Sequence, residues 1–401
     1  MVPDFQSRAT LLGHIRHTKQ FYDPRCVDPS GGFYHFYKDD GTIYDKRTRH
    51  LVSSTRFVFN YAMAYRQFGD EADRQRMLHA LAFVRAAHRD PASGGYAWEL
   101  RWEDGQATVT DATNHCYGLA FVLLAYAHAH MAGVAEARAH IEETFALMER
   151  RFWEPQHGLY ADEATAGWQV LPYRGQNANM HSCEALLAAF EATGETRYLL
   201  RAETLAHNIT VRQAALADNL VWEHYRSDWS VDPDYNRHDS SNIFRPWGYQ
   251  PGHLTEWSKL LLILERHRDH LAGDAGWLLP RAAELFDAAV DKAWDGQHGG
   301  IYYGFAPDGA ICDAHKYFWV QAESLAAAAL LGARTGQARY WDWYGRIWAY
   351  SWEHMVDHAH GAWYRILGPD NAKLTDEKSP AGKTDYHTMG ACYEVLTVLK
   401  D

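Results

Sequence analysis

A histidine and a glutamate three residues apart occur twice in this chain, as His181-Ser-Cys-Glu184 and His253-Leu-Thr-Glu256, and each pair follows a turn that opens an apolar stretch. Residues at that spacing share one face of a helix. Close to a helix start, such a face looks into a cavity or into solvent. One pair alone is also what an ordinary capped helix start looks like. Other helix starts shift the weighing, because each brings polar groups to the same depth: Arg56, Asn114-His115, Trp319 with Gln321 and Glu323, and Lys383 with His387, while Asn177 precedes His181.

The residue types in this set have a common chemistry. Imidazoles titrate near neutral pH and can take or give a proton. A carboxylate beside one of them fixes its tautomer and raises its basicity. An arginine and a lysine can hold a developing oxyanion, and an indole such as Trp319 offers a flat wall to a sugar or an aromatic ring. Together they suit removal of a proton next to a carbonyl, giving an enediolate. The two HxxE pairs also raise the question of a metal. Neither the ExxH order of di-iron bundles nor HExxH occurs, and no metal is expected. Gly-rich phosphate loops, a GxSxG elbow and a GxGxxG turn are absent from the sequence, so no nucleotide cofactor is expected.

The elements that must position these residues repeat along the chain. A turn of the form acid or proline, glycine, then aromatic recurs around Gly32, Gly95, Gly158, Gly300 and Gly361, with a degenerate copy, VWEHYRSDW, near Trp222. Gly32 to Gly95 and Gly95 to Gly158 are each 63 residues. A fixed period of this length marks a repeat architecture. After each turn comes a helical pattern rich in small and apolar residues: 54–68, 111–131, 177–193, 251–267, 315–335 and 384–400. More charged helical patterns alternate with these, at 4–22, 71–88, 135–152, 196–216, 276–294 and 338–356. Helices apolar all round must be buried, and amphipathic ones cover them. Closed on itself, the pattern predicts an all-α fold, an (α/α)6 barrel of six inner and six outer helices with short β-hairpins at one mouth, in a single domain spanning 1–401.

Composition bounds the function classes. With 39 basic against 51 acidic residues, a net charge of −12 and no basic run, the chain is not expected to bind nucleic acid or an anionic membrane. Its 47% apolar content supports a large core, and its 14% aromatic content is suited to lining a pocket. Five scattered cysteines without a CxxC pair indicate reduced thiols. The first 21 residues lack the apolar centre of a signal peptide, and no window is long enough for a membrane span. A soluble cytoplasmic protein is expected, its oligomeric state open.

The segments YRGQNANMHSCEALLAAFEATG, RPWGYQPGHLTEWSKLL, HKYFWVQAESLAAAALL and DYHTMGACYE, in that order, resemble the N-acylglucosamine 2-epimerase superfamily, and within it the D-mannose isomerase branch. The resemblance runs from TRFVFNYA to the last helix. It implies an (α/α)6 barrel that interconverts sugars by metal-free acid/base chemistry through an enediol, without a redox cofactor. Carried over, His253 and His387 are the acid/base pair and Glu256 the partner of His253. Arg56, Asn177, His181 and Trp319 hold the substrate, with Glu323 and Lys383 beside them, and a loop over 156–174 closes on the mouth. The implied activity is aldose-ketose isomerisation of a monosaccharide, mannose to fructose and also lyxose to xylulose. A 2-epimerase of the mannose/glucose or cellobiose type, or a sulfoquinovose isomerase, is the alternative on the same fold. NANMHSCE departs from the cellobiose epimerases, and no residues match an effector nucleotide site. Beyond this family, a polysaccharide hydrolase or lyase would need a carboxylate pair or a tyrosine base along an open groove, and a binding protein would show affinity without proton exchange.

Overall fold

Cys116–Met131, CYGLAFVLLAYAHAHM, presents apolar side chains in every direction, so the helix it forms is buried on all sides. Leu278–Ala293 instead buries one stripe, Leu278, Ala282, Leu285, Phe286, Ala289, Val290 and Ala293, and turns Glu284, Asp291 and Lys292 to solvent. The computed structural model describes residues 2–239 and 245–400. Among these described residues twelve α-helices alternate between the two kinds. In chain order they are α1 (Arg8–Tyr22), α2 (Leu51–Phe68), α3 (Glu71–Phe83), α4 (Cys116–Met131), α5 (Ala137–Arg151), α6 (Gln176–Thr193), α7 (Thr196–His207), α8 (Pro251–Arg266), α9 (Leu278–Ala293), α10 (Phe318–Thr335), α11 (Ala338–Tyr350) and α12 (Tyr386–Leu396).

The even-numbered helices pack in succession, α2 on α4 and so on to α12, and α12 returns to α2. This closes an inner ring. Each odd-numbered helix from α3 to α11 lies on the inner helix before it, while α1 lies on α12 and so joins the two ends of the chain. Arg8 Nη1 fastens that junction by donating to the Leu396 carbonyl at 2.6 Å. The fold is the expected (α/α)6 barrel. Gly69, Gly194 and Gly336 end α2, α6 and α10 with φ of 70°, 72° and 70°, and the next outer helix starts two residues later. Only glycine takes that left-handed conformation without strain, which is what makes so tight a reversal possible.

At the other end of the inner helices, short strands pair in separate small sheets placed around the mouth. Strand 48–50 pairs with 99–103, 114–115 with 163–164, 174–175 with 224–225, Tyr249 with Phe305, 316–317 with 366–367, and 377–379 with 36–38. Each pairing stitches one repeat to the next at the mouth. Several strands take residues that helical periodicity assigns to the helices that follow. Gln106–Asp111 and Asn114–His115 are strands, and α4 begins at Cys116 rather than at 111. Likewise 316–317 is a strand, and α10 begins at Phe318 rather than at 315. The last helix starts at Tyr386 because Thr384 and Asp385 have φ of 44° and 51°. Segment 156–174, expected to close over the mouth, carries strands of these sheets and contributes no lining residue to the cavity described below.

The glycine-aromatic turns are anchored by buried ion pairs that repeat with the fold. Asp28 pairs with Arg49, Asp295 with Lys316 and Asp357 with Lys378, each base lying 21 residues after its acid. Glu154 and Arg174 repeat the arrangement at 2.6 Å. The turn acid also accepts backbone N–H groups, as Asp295 does from Gln297 and His298. The strands carrying Arg49, Arg174 and Lys316 lead directly into the next inner helix, and the strand carrying Lys378 precedes α12 by six residues. These pairs therefore tie the turns to the helix starts that carry the site.

Candidate active site

The N-terminal ends of the inner helices surround a cavity of about 130 Å³. Arg56 from α2, Tyr117 from α4, Asn177 and His181 from α6, His253 and Glu256 from α8, Trp319 from α10, and Lys383 and His387 in and before α12 all line it. Residues drawn from over 330 positions of sequence thus meet in one pocket, as the ring of helix starts implies. Glu323 is the exception. It lies one turn beyond Trp319 on α10, and that turn places it beneath the cavity floor.

Three imidazoles in this pocket each hold a carboxylate through Nδ1. His387 Nδ1 meets Glu323 Oε1 at 2.6 Å, His181 Nδ1 meets Glu184 Oε2 at 3.0 Å, and His253 Nδ1 lies 2.9 Å from both oxygens of Glu223. A carboxylate at Nδ1 fixes the Nδ1–H tautomer and leaves Nε2 as the free acceptor. His387 shows this directly: its Nε2 lies 3.3 Å from Arg56 Nη2, a donor. Burial, reinforced by Arg56, holds His387 well below the usual imidazole range, and burial lowers His181 too. Both are neutral at physiological pH.

The partner of His253 corrects the sequence expectation. His253 faces the neighbouring strand 224–225, whose preceding residue Glu223 receives Nδ1, whereas Glu256 points inward toward the barrel axis. Gln176 Nε2 donates to the same glutamate at 3.0 Å, and Gln176 Oε1 in turn accepts from Trp257 Nε1 at 2.7 Å. Glu223 lies in the degenerate turn copy, where helical spacing gives no signal. Glu256 is buried, and neither of its oxygens has a hydrogen-bond partner among the described residues. Burial and the nearby Glu323 push its carboxyl well above the usual range, against the pull of Lys259 and Arg56, which favours the protonated form.

Ligand atoms of His181, Glu184 and Glu256 fall within 4.8 Å of one another, as do those of Glu256, Glu323 and His387. The positive charge in that cluster is supplied by the protein itself. Lys259 Nζ is 2.6 Å from Glu323 Oε2, 3.8 Å from Glu184 Oε1 and 3.9 Å from Glu256 Oε1. An ammonium so placed repels a second cation.

The remaining side chains shape and charge the pocket. Arg56 donates to the Gly382 carbonyl and to Tyr117 Oη at 3.3 Å, and its guanidinium lies 4.4 Å over the Phe121 ring and 4.6 Å over Tyr386. Trp319 stands between two imidazoles, its ring 5.0 Å from His253 and 5.8 Å from His387. Asn177 lines the site, and its buried Oδ1 has no hydrogen-bond partner among the described residues. Lys383 Nζ donates to Asp385 Oδ2 at 2.5 Å, and burial brings its ammonium down to about 8 against the opposing pull of Asp385. Other members of the sequence ring are structural: Gln321 bonds the backbone of Ile301 through both amide atoms, and His115 stacks on Trp98 at 4.0 Å.

Comparison with known proteins agrees with this geometry. The N-acylglucosamine 2-epimerase (GlcNAc 2-epimerase) family matches residues 31–391. A D-mannose isomerase of Marinomonas mediterranea is 55% identical over 399 residues, 99% of each chain. A crystal structure of D-mannose isomerase superposes with a TM-score of 0.96 at 54% identity, covering 100% of both chains. The fold is shared more widely, since the cellobiose 2-epimerase of Spirochaeta thermophila superposes at 0.85 with 24% identity over 98% of this chain and 96% of its own. The family match over most of the chain, the relative of more than half identity and the convergent histidines lead to one conclusion: the chain belongs to the N-acylglucosamine 2-epimerase family and is an isomerase.

Proposed function

We propose that this enzyme interconverts D-mannose and D-fructose, and also D-lyxose and D-xylulose, by metal-independent proton transfer through a cis-enediol, with the whole chain as one catalytic domain. The observation that carries this reading is an imidazole held below its usual range, His387, whose Nε2 stands beside the Arg56 guanidinium while a carboxyl pushed toward its protonated form, Glu256, lines the same pocket. Base, oxyanion partner and acid are therefore present together, in protonation states suited to their tasks.

In the forward direction His387 Nε2 takes the proton from C2, and the C2–H electron pair forms the C1–C2 double bond. Oxygen O1 takes a proton from Glu256, and Arg56 holds the charge that develops on the enediolate. Glu256 then recovers a proton from O2 as the C2 carbonyl forms, and His387 returns its proton to C1. Free hexoses are mostly cyclic, so an open-chain aldehyde must first be released. His253, oriented by Glu223 on the far side of Trp319, is the acid/base group for that ring opening. Asn177, His181 and Lys383 hold the hydroxyl groups, Trp319 packs against the sugar, and Glu323 supports His387 from beneath.

Single replacements His387→Asn and His253→Asn each remove a proton-transfer group while preserving bulk. Both are expected to reduce mannose turnover by at least about a hundredfold with the helical circular dichroism intact, and a chelator is expected to leave the parent unaffected. Full activity in His387→Asn defeats this mechanism. A second reading, 2-epimerisation, draws on His181, whose ring lies 6.4 Å from that of His387 and carries the same Nδ1 carboxylate arrangement. A second imidazole of that kind could reprotonate C2 instead of C1, and glucose as the product of mannose would establish it.

A further inference from the structure

Lys259 sits on α8 six residues beyond His253 and does not line the sugar cavity. Its ammonium reaches Glu323 Oε2 at 2.6 Å and approaches Glu184 Oε1 at 3.8 Å. The opposite oxygens of these two carboxylates are the ones that hold His387 Nδ1 and His181 Nδ1. We propose that Lys259 is the positioning residue of the site, a single buried ammonium that keeps Glu323 and Glu184 ionised together and through them fixes the Nδ1–H tautomer of both His387 and His181. The inference rests on the isomerase reading above and adds to it what sets the state of its base.

The charge balance of this interior explains why one lysine has that reach. Lys259 is surrounded by His181 and Glu184 from α6, Glu256 from its own helix and Glu323 from α10. His387 of α12 and Arg56 of α2 lie on the sugar side, while His128 of α4, Glu191 of α6 and Tyr386, Tyr393 and Glu394 of α12 line the space on the other side. Burial raises both the Glu256 and the Glu323 carboxyls, Lys259 opposes the rise in each, and Lys259 and Arg56 are the cations that face them and Glu184. Burial disfavours the Lys259 charge, yet the three glutamates raise its ammonium overall, while against burial Lys259 and His181 hold the Glu184 carboxyl below its usual range. Without the lysine, Arg56 alone would face these buried carboxyls, and Glu323 and Glu184 would hold their protons to higher pH. A carboxyl that carries its own proton is a poorer acceptor for Nδ1–H. The imidazole above it then loses both its fixed tautomer and its basicity.

A second cavity of about 70 Å³ lies on the far side of this cluster, lined by Lys259, Glu184 and Glu323 together with Phe59, Leu260 and Ile263. It supplies space for a chemical test. Lys259→Ala removes a propylammonium fragment next to that space, so propylamine can replace what was lost.

The experiment follows mannose turnover against pH in the parent, Lys259→Met, Lys259→Arg and Lys259→Ala. In Lys259→Met, kcat is expected to fall about a hundredfold with KM changed by less than about threefold. The acid limb of its kcat profile should move up by about one pH unit, because ionisation of Glu323 then limits activity and a carboxyl without its cation protonates at higher pH. Lys259→Arg retains the charge and should keep the limb in place, which preserves the test if the methionine variant does not fold. Propylamine should restore Lys259→Ala by at least about tenfold. An unmoved limb in Lys259→Met, or a limb that moves in Lys259→Arg, overturns the proposal. If the parent exchanges C2 hydrogen on another sugar and not on mannose, the substrate reading fails alone, and the same series run on that sugar decides the role of Lys259.

Discussion

Replacing Glu223 by glutamine keeps the shape of the acceptor and removes its charge, which isolates what the carboxylate does for His253. In the native site Nδ1 lies 2.9 Å from both carboxylate oxygens, and Gln176 Nε2 donates to one of them at 3.0 Å. A hydrogen bond to a charged group contributes about 1.5–3 kcal/mol and a neutral one about 0.5–1.5 kcal/mol, so the weakened contact to His253 amounts to about 1.25 kcal/mol. That difference corresponds to about tenfold in kcat/KM. The amide also turns an NH2 group toward the Gln176 amide, and the lost bond should lower folding stability by about 1 kcal/mol. Initial rates of fructose formation from mannose, with urea unfolding in parallel, separate the two effects. Glu223→Leu, which leaves Nδ1–H buried without an acceptor, should lower the rate further, to about a hundredfold below the parent. If Glu223→Gln turns over within twofold of the parent while Glu256→Gln alone alters the His253 step, the assignment of Glu223 as the partner is refuted.

Other perturbations test other parts of the structure. A Cβ at Gly252 would lie 2.5 and 2.7 Å from Trp319 ring atoms, so Gly252→Ala should displace that wall and reduce kcat/KM by about tenfold with the fold retained; unchanged kinetics would show that the indole is not a substrate wall. Lys316→Met leaves Asp295 buried without its 2.8 Å partner and should destabilise the protein by about 3 kcal/mol in urea unfolding at pH 7. Burial pushes the Asp295 carboxyl up, but Lys316 and the His298 and Gln297 N–H groups bring it to about 2, below its unfolded value of 3.8. A depressed carboxyl stabilises fully above its unfolded value, so the gap between parent and variant should narrow as pH falls from about 4 toward 2. With its ammonium brought down to about 8, Lys383 should be carbamylated by cyanate at about pH 8.5 ahead of surface lysines, and mannose should protect it; peptide mass spectrometry reads both.

How far the sequence carries the structure depends on the kind of signal at each position. α4 is legible because sixteen consecutive residues with no exposed polar face leave no alternative to burial. The convergence of Arg56, His181, His253, Trp319 and His387 follows once the repeats close, since the ring brings helix starts together whatever their separation. Strands such as Gln106–Asp111 are hidden because they adjoin helices, and pairing with Glu99–Glu103 decides their conformation. Glu223 is hidden for a related reason: its contact with His253 crosses from one repeat to the next, whereas the His253/Glu256 spacing describes a single helix. Glu323 shows the limit of ranking by depth, because one turn along α10 separates the sugar wall Trp319 from the carboxylate beneath the floor. The acid and base 21 residues apart, by contrast, are written in the sequence and become visible once Asp28–Arg49, Asp295–Lys316 and Asp357–Lys378 are seen as one repeated contact.

The central claim is that a neutral imidazole removes the C2 proton of mannose and that the enediol closes at C1. Incubating the enzyme with mannose in heavy water and reading the products by NMR tests it most directly. Fructose carrying deuterium at C1 is the predicted result. Glucose deuterated at C2 as the main product would contradict it.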